Sequence, residues 1–192
     1  MNGTPKFVLP RPVASQPITA QMLWIAGFTI GTVIGARFEI PHDPVPYTLQ
    51  TLVVLLAGAI LGARNGAISQ LLYLGAGILG APVFAGGAFG ITKILGPTGG
   101  YLLAFPLAAG AVGLLIPRAK STLTMALSMG TGLAIVFLLG TFHLWAFYIH
   151  DAWAAISSGL LIFSWWDLLK LTAATMIYRE LARRSRRNLP TQ

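Results

Sequence analysis

The sequence predicts an all-α integral membrane protein: six transmembrane helices in one bundle, with both termini cytoplasmic. Three observations predict it. Hydrophobic residues make up 55% of the 192 and charged ones only 9%, against roughly 25% charged in a soluble domain. So few charges do not cover a globular surface of this size, so lipid must solvate most of it. Apolar stretches near bilayer length, about 17–25 residues, recur along the chain. The cations between them fall almost entirely on one side of the membrane.

The first stretch runs from Met22 to Phe38 and stops before Pro41 in "EIPHDPVPY". The second spans Tyr47 to Ala63 and ends at the polar break Arg64-Asn65. The third begins at Gly66 and closes at Ala81-Pro82. The fourth follows "GPTGG", from Gly99 to Ile116, and is stopped by Pro117. The fifth covers Thr122 to Thr141. The sixth runs from Ser164, a candidate N-cap, to Leu181. Between the last two, "FHLWAFYIHDAWAAISSGLLIF" is aromatic and only partly apolar. Trp145, Tyr148 and Trp153 suit the bilayer interface, where amphipathic rings settle. That segment reads as an external cap with room for a short helix.

The count is tested by charge. Six spans put Lys6, Arg11, Arg64, Arg118, Lys120, Arg179, Arg183, Arg184, Arg186 and Arg187 on one side. Arg37 and Lys93 fall opposite, and Lys170 lies just inside the last span. Positive-inside bias makes the cation-rich side cytoplasmic. Residues 1–20, proline-rich and without an apolar core of signal-peptide length, read as a cytoplasmic tail. Residues 182–192 read as a second, basic tail. "YRELARRSRRN" is expected to face anionic lipid rather than nucleic acid. The whole chain, 1–192, is expected to form one domain. Without cysteine it has neither disulfide nor thiolate chemistry.

"GAGILGAPVFAGG", residues 75 to 87, contains the G-x-G-x-x-G pattern of dinucleotide sites. Such a site also needs an acid about 20 positions on, to hold the ribose. The chain there reads "TGGYL", and the next carboxylate after the motif is Asp151. No phosphate-binding reading survives. Pro82 instead ends the third helix, and the stretch from Gly80 to Gly96 is expected to fold back as an external loop lining a pocket, because irregular backbone at membrane depth needs such cover. Gly27, Gly31 and Gly35 form a stripe on the first span. It fits either packing within the chain or docking against another membrane protein. Gly58, Gly62 and Gly66 form a second stripe.

Only five acids occur: Glu39, Asp43, Asp151, Asp167 and Glu180. Asp167 and Lys170, in "SWWDLLKLTAATM", share one helical face at i, i+3. Ionisable groups inside a span cost roughly 2.5–3.5 kcal/mol each, so they face a bundle interior or a cavity. Two readings stand: an ion pair serving helix packing, or a ligand pair that accepts N–H bonds and donates to a carbonyl or an acid. Catalysis finds less support, with no H-E-x-x-H and no G-x-S-x-G present. His143, His150 and Asp151 are the place where a membrane enzyme would work. No third well-placed metal ligand is evident there, so neither metal nor cofactor is expected.

"PVPYTLQTLVVLLAGAILGARNGAISQLLYLGAGILGAPVFAGG", "LGPTGGYLLAF" and "DLLK" together resemble BioY, the biotin-binding S component of energy-coupling-factor transporters. The resemblance runs from Pro44 to about Phe105 and returns at Asp167–Lys170, about a third of the chain. It implies a six-helix bundle with a vitamin pocket near the outer face, closed by the first and third connections. Asp167 and Lys170 would hold the ureido ring of biotin. Thr48, Gln50, Phe84, Gly86, Gly87 and Tyr101 would line or shape the site. Gly27, Gly31 and Gly35 would dock against a transmembrane coupling subunit, and two cytoplasmic ATPases would supply the energy. The implied function is high-affinity biotin uptake across the cytoplasmic membrane, without chemistry on the cargo. Thiamine or riboflavin are the alternative cargoes. Two departures from the family pattern stand out. "IFSWWD" replaces the usual "P-F-x-P-G-D", and Ala88 stands where some relatives carry arginine. Lys93, or backbone N–H groups, would then meet the carboxylate.

Overall fold

The computed structural model describes residues 13–161 and 165–187. A 3₁₀ turn, Val13–Ser15, leads to Pro17, whose fixed φ and missing N–H suit a helix start. Helix α1 follows, Ile18–Arg37, beginning inside the expected tail. The chain then makes a two-residue antiparallel ladder, β1 (Glu39–Ile40) with β2 (Tyr47–Thr48), pairing Glu39 with Thr48. Helix α2 is Gln50–Leu61 and α3 is Ala63–Ile78.

The break between α2 and α3 differs from the expectation. It falls at Gly62, whose φ of 82° is a left-handed conformation that side chains disfavour. Arg64 and Asn65 are not a loop but the first turn of α3. Asn65 is tolerated there because its Nδ2 donates to Gln21 Oε1 on α1 at 2.9 Å. A polar residue read from sequence as a span end is thus a helix-to-helix tie.

After α3 the chain forms a 3₁₀ turn (Ala85–Gly87) and the short helix α4 (Ile91–Leu95). Helix α5 is Gly99–Leu115, closed by a 3₁₀ turn at Ile116–Arg118. Helix α6 is Thr122–Leu144, started by Ser121 and Thr124 capping each other's backbone N–H at 3.2 and 2.9 Å. It runs past the expected end at Thr141 and continues as a π-helical turn, Trp145–Ile149. The cap holds the short helix α7 (Ala152–Ala155) and a second π turn, Ile156–Leu160. Helix α8 is Trp165–Arg187, carrying the last span into the basic tail that was expected to begin at residue 182. Ser164, the expected N-cap, lies outside the described residues.

Among the described residues, six helices of 12 to 23 residues overlap the six apolar stretches. By length and composition three segments reach across a bilayer: Ile18–Arg37, Gly99–Arg118 and Thr122–Ile149. A fourth results if Ala152–Leu160 and Trp165–Arg184 form one broken span. The 12 residues of α2 are too few to cross a bilayer as one straight helix, because Gly62 divides that part of the chain.

Helix α5 sits centrally against α2, α3 and α6. Small residues permit the approach: a Cβ on Gly58 would lie 2.3 Å from the Ala109 carbonyl oxygen, and one on Gly113 2.2 Å from Ala63 N. Gly58→Ala is accordingly expected to destabilise the bundle by about 1–3 kcal/mol through overpacking, seen as a lower melting temperature in detergent. Hydrogen bonds fix α1 on α3: Thr29 donates to the Ser69 carbonyl at 2.9 Å, and Thr32 to Gln70 Oε1 at 3.2 Å. Such interhelical bonds suit a medium that offers no water. Leu55, Met129 and Leu133 are fully enclosed, whereas Leu23 and Leu79 are 75% and 89% exposed. An exterior this apolar fits acyl chains.

Candidate functional site

At the end of the bundle that carries the β1–β2 hairpin lies a cavity enclosed by the hairpin, α2, α5, α6 and α8. Its apolar wall includes Leu102 and Phe105 on α5 and Val136 and Phe137 on α6. Its polar groups come from α2 and the hairpin before it, from the α4–α5 connection, and from α8.

Asp167 and Lys170 line this cavity from the first turns of α8, 1% and 4% exposed. Their i, i+3 spacing brings Lys170 Nζ to 2.6 Å from Asp167 Oδ1. The same ammonium donates to the Thr48 carbonyl at 3.0 Å, tying α8 to β2 across 122 residues of chain. Thr48 Oγ1 accepts from Gln50 N at 3.3 Å and reaches Gln50 Oε1 at 3.0 Å. Gln50 Nε2 in turn donates to the Tyr73 hydroxyl at 2.6 Å. The buried charges are thus paired with each other, and Lys170 is also hydrogen-bonded to the hairpin; pairing is the condition under which ions persist away from water.

Of the residues expected from sequence, the structure brings Thr48, Gln50, Lys93, Tyr101, Asp167 and Lys170 to the cavity wall. It does not bring Phe84, Gly86 or Gly87 to that wall. Phe84 is fully buried, its ring filling the space a Cβ on Gly77 would need, and meets Tyr73 edge-on at 5.5 Å. It therefore acts on the cavity through the Tyr73–Gln50 bond. Gly86 and Gly87, with φ of 69° and 73°, let the loop turn close to Glu39 and Arg37. Arg37 also donates to the Pro82 carbonyl. These two glycines sit by the end of α1, outside the cavity lining, while Ala85 of the same turn is part of that lining. Of the Gly80–Gly96 stretch, Ala85 and Lys93 line the cavity.

Among the cavity residues not singled out from the sequence, two carry unpaired hydroxyls. Thr51 and Thr98 are each 9% exposed, and neither hydroxyl has a hydrogen-bond partner. Buried polar atoms left unpaired are uncommon and call for an explanation. The signal was present in "TLQT" and "GPTGG", but spacing alone does not say which hydroxyl is satisfied by its own backbone. Phe137 was missed too, because α6 reads only as generic apolar sequence.

Tyr101 is held from several sides. Its hydroxyl donates to the Gly159 carbonyl at 3.1 Å and lies 3.4 Å from Thr141 Oγ1, while its ring covers Gly140 and meets Phe137 edge-on. The segment between α6 and α8 is thereby fastened to the cavity wall. Within it, Asp151 accepts from Ala154 N at 2.6 Å as the N-cap of α7. His143 Nε2 lies 3.2 Å from the Gly96 carbonyl. His150 adopts φ 54°, ending the π turn. His143 and Asp151 are thus engaged in local structure, and among the described residues no three His, Cys, Asp or Glu side chains are grouped to hold a metal ion.

The glycine stripe on α1 divides. A Cβ on Gly35 would lie 3.1 Å from Gln50 N, so Gly35 packs on the start of α2. Gly31 approaches Val53 at 3.3 Å, and Gly27 meets nothing within 4 Å.

Comparison with known proteins agrees with this architecture. A model of the BioY family matches residues 7–187. The biotin transporter BioY of Thermotoga maritima is 41% identical over 157 residues, covering 82% of this chain and 92% of that protein. A probable biotin transporter BioY of Pyrococcus horikoshii is 40% identical over 157 residues, covering 82% and 93%. The crystal structure of an S component for biotin from an ECF-type ABC transporter superimposes with a TM-score of 0.80 at 26% identity, covering 86% of this chain and 92% of that one. With a match over nearly its whole length, the chain belongs to the BioY family.

Proposed function

We propose that this protein captures biotin from outside the cell and carries it across the cytoplasmic membrane as the substrate-binding component of an energy-coupling-factor transporter. It performs no chemistry on the vitamin. The observation that carries this reading is a buried Asp167–Lys170 pair facing an apolar cavity in which two further hydroxyls stand unpaired. A cyclic urea offers the complementary groups. Its N–H donates to the Asp167 carboxylate, and its carbonyl accepts from Lys170. The hydrocarbon part of the bicycle meets Phe105, Val136 and Phe137. Thr51 and Thr98 supply the remaining polar contacts, and apolar walls with a few fixed polar groups are the usual form of a small-molecule site. Lys93, which makes no ion pair or side-chain hydrogen bond among the described residues, meets the carboxylate where the family arginine is replaced by Ala88.

Nanomolar capture corresponds to about −12 kcal/mol. Spread over roughly 16 heavy atoms, this stays well inside the ceiling of about −1.5 kcal/mol per atom. A site that tight does not empty itself. Release is driven by a transmembrane coupling subunit and two cytoplasmic ATPases, since the chain carries no nucleotide motif of its own.

Equilibrium binding to the purified protein tests the reading. Biotin is expected to bind, unlabelled thiamine and riboflavin not to displace it, and biotin amide to bind more weakly. Lys93→Met should remove the difference between biotin and its amide. Displacement by either other vitamin would overturn the choice of cargo. Thr51→Val and Thr98→Val are each expected to weaken biotin binding by about 1 kcal/mol, a typical net hydrogen bond. Each should leave the empty protein no less stable in a thermal melt, since an unpaired buried hydroxyl is being removed.

A further inference from the structure

A second, more open cavity adjoins the first. Pro46, Lys93 and Thr98 belong to the walls of both. The second is walled on one side by the hairpin, with Glu39, His42 and Asp43, and on the other by Phe89 and Thr92. Its charges are unlike those of the inner cavity. Among the described residues neither Glu39 nor Asp43 makes an ion pair, and Glu39 Oε2 is buried without a hydrogen-bond partner. Lys93 stands at the boundary, beside the unpaired hydroxyl of Thr98, itself 9% exposed.

A bare carboxylate needs Lys93 but gains nothing from two carboxylates beyond it. Those groups repel an anion and attract an ammonium. A ligand matching the whole row would carry its ring at Asp167 and Lys170, a hydrogen-bond acceptor at Lys93, and a cation beyond it at Glu39 and Asp43. Resting on the biotin reading of the inner cavity, we infer that the outer cavity is a subsite for amino-acid conjugates of the vitamin. In these an amide extends the valeryl tail into a zwitterionic amino-acid end. The protein then takes up amide-linked biotin, above all its ε-amide with lysine, as well as the free acid. The amide carbonyl lies at Lys93, where the free acid has its carboxylate, and the α-ammonium lies further out, between Glu39 and Asp43.

The test is competition against labelled biotin on the purified full chain. The competitors are biotin, the ε-amide of biotin with lysine, and biotin hexylamide, which has a tail of similar reach without charges. The lysine conjugate is expected to bind about tenfold tighter than the hexylamide, as charge-assisted hydrogen bonds would give. The double variant Glu39→Gln, Asp43→Asn should erase that difference while biotin binds as before. Should the double variant not fold, Asp43→Asn alone, at an exposed position, should reduce the difference. A lysine conjugate that binds no better than the hexylamide, or an advantage that persists in the variants, overturns the inference and leaves the biotin reading standing. Failure of biotin itself to bind overturns both.

Discussion

Asp167→Ala is expected to lower biotin affinity by about a hundredfold or more, and Lys170→Ala to do the same. Each removes one half of a charged pair that is almost entirely enclosed. Truncating one partner of a buried, hydrogen-bonded charge pair typically costs about 2–5 kcal/mol of binding. Each variant also leaves the other charge uncompensated, which destabilises a fold by about 3–5 kcal/mol. The Lys170 variant further frees the Thr48 carbonyl and with it the hairpin. Loss of binding could therefore come from a loosened structure. The double variant Asp167→Leu, Lys170→Met separates the two causes, because replacing both ions by apolar groups is often neutral or stabilising. A thermal melt should show stability recovered and a binding isotherm should show affinity still lost. Normal biotin binding by the double variant would reduce the pair to a packing device.

Gly27→Leu is expected to abolish uptake in cells while leaving biotin binding to the purified protein unchanged. The stripe on α1 fits both internal packing and docking, and the coordinates say which glycine distinguishes them. Gly35 packs on the backbone at the start of α2, so a larger residue there disturbs the site directly. Gly31 has Val53 at 3.3 Å and is also partly committed inward. Gly27 has open space in front of it, on a helix whose opposite face is hydrogen-bonded to α3. A Cβ there meets no other helix within 4 Å, yet a leucine blocks the close backbone approach that small residues allow between helices in lipid. Unimpaired uptake by Gly27→Leu would remove this face from the docking surface. Gly35→Leu should fail in both assays, through the site rather than through docking.

The helical bundle was legible because its evidence is local. Pro41, Pro82 and Pro117 follow closely on the ends of α1, α3 and α5, and an exterior of leucine and isoleucine is readable as composition. Asp167 and Lys170 were legible for a related reason: charge within an apolar span is rare enough to need a partner, and i, i+3 spacing names it. The Arg64-Asn65 turn was misplaced because Asn65 is satisfied by Gln21, on a different helix 44 positions away. Phe84 matched the family motif, yet its ring went to the space above Gly77.

The sequence by itself determined that this chain lives in lipid, that it is built of helices, and that one buried charged couple must face something polar. Periodicity, hydropathy and the cost of an unpaired ion operate over a few neighbouring residues. Only the tertiary structure decided which hydroxyls stay unpaired, which glycines face inward, and which loop residues reach the cavity. Thr98 and Lys93 lie on one connection, and the structure sets both beside Glu39 and Asp43 of another. Hydrogen bonds and close packing between elements far apart in the chain place them there, and no short stretch of sequence contains both halves of such a contact.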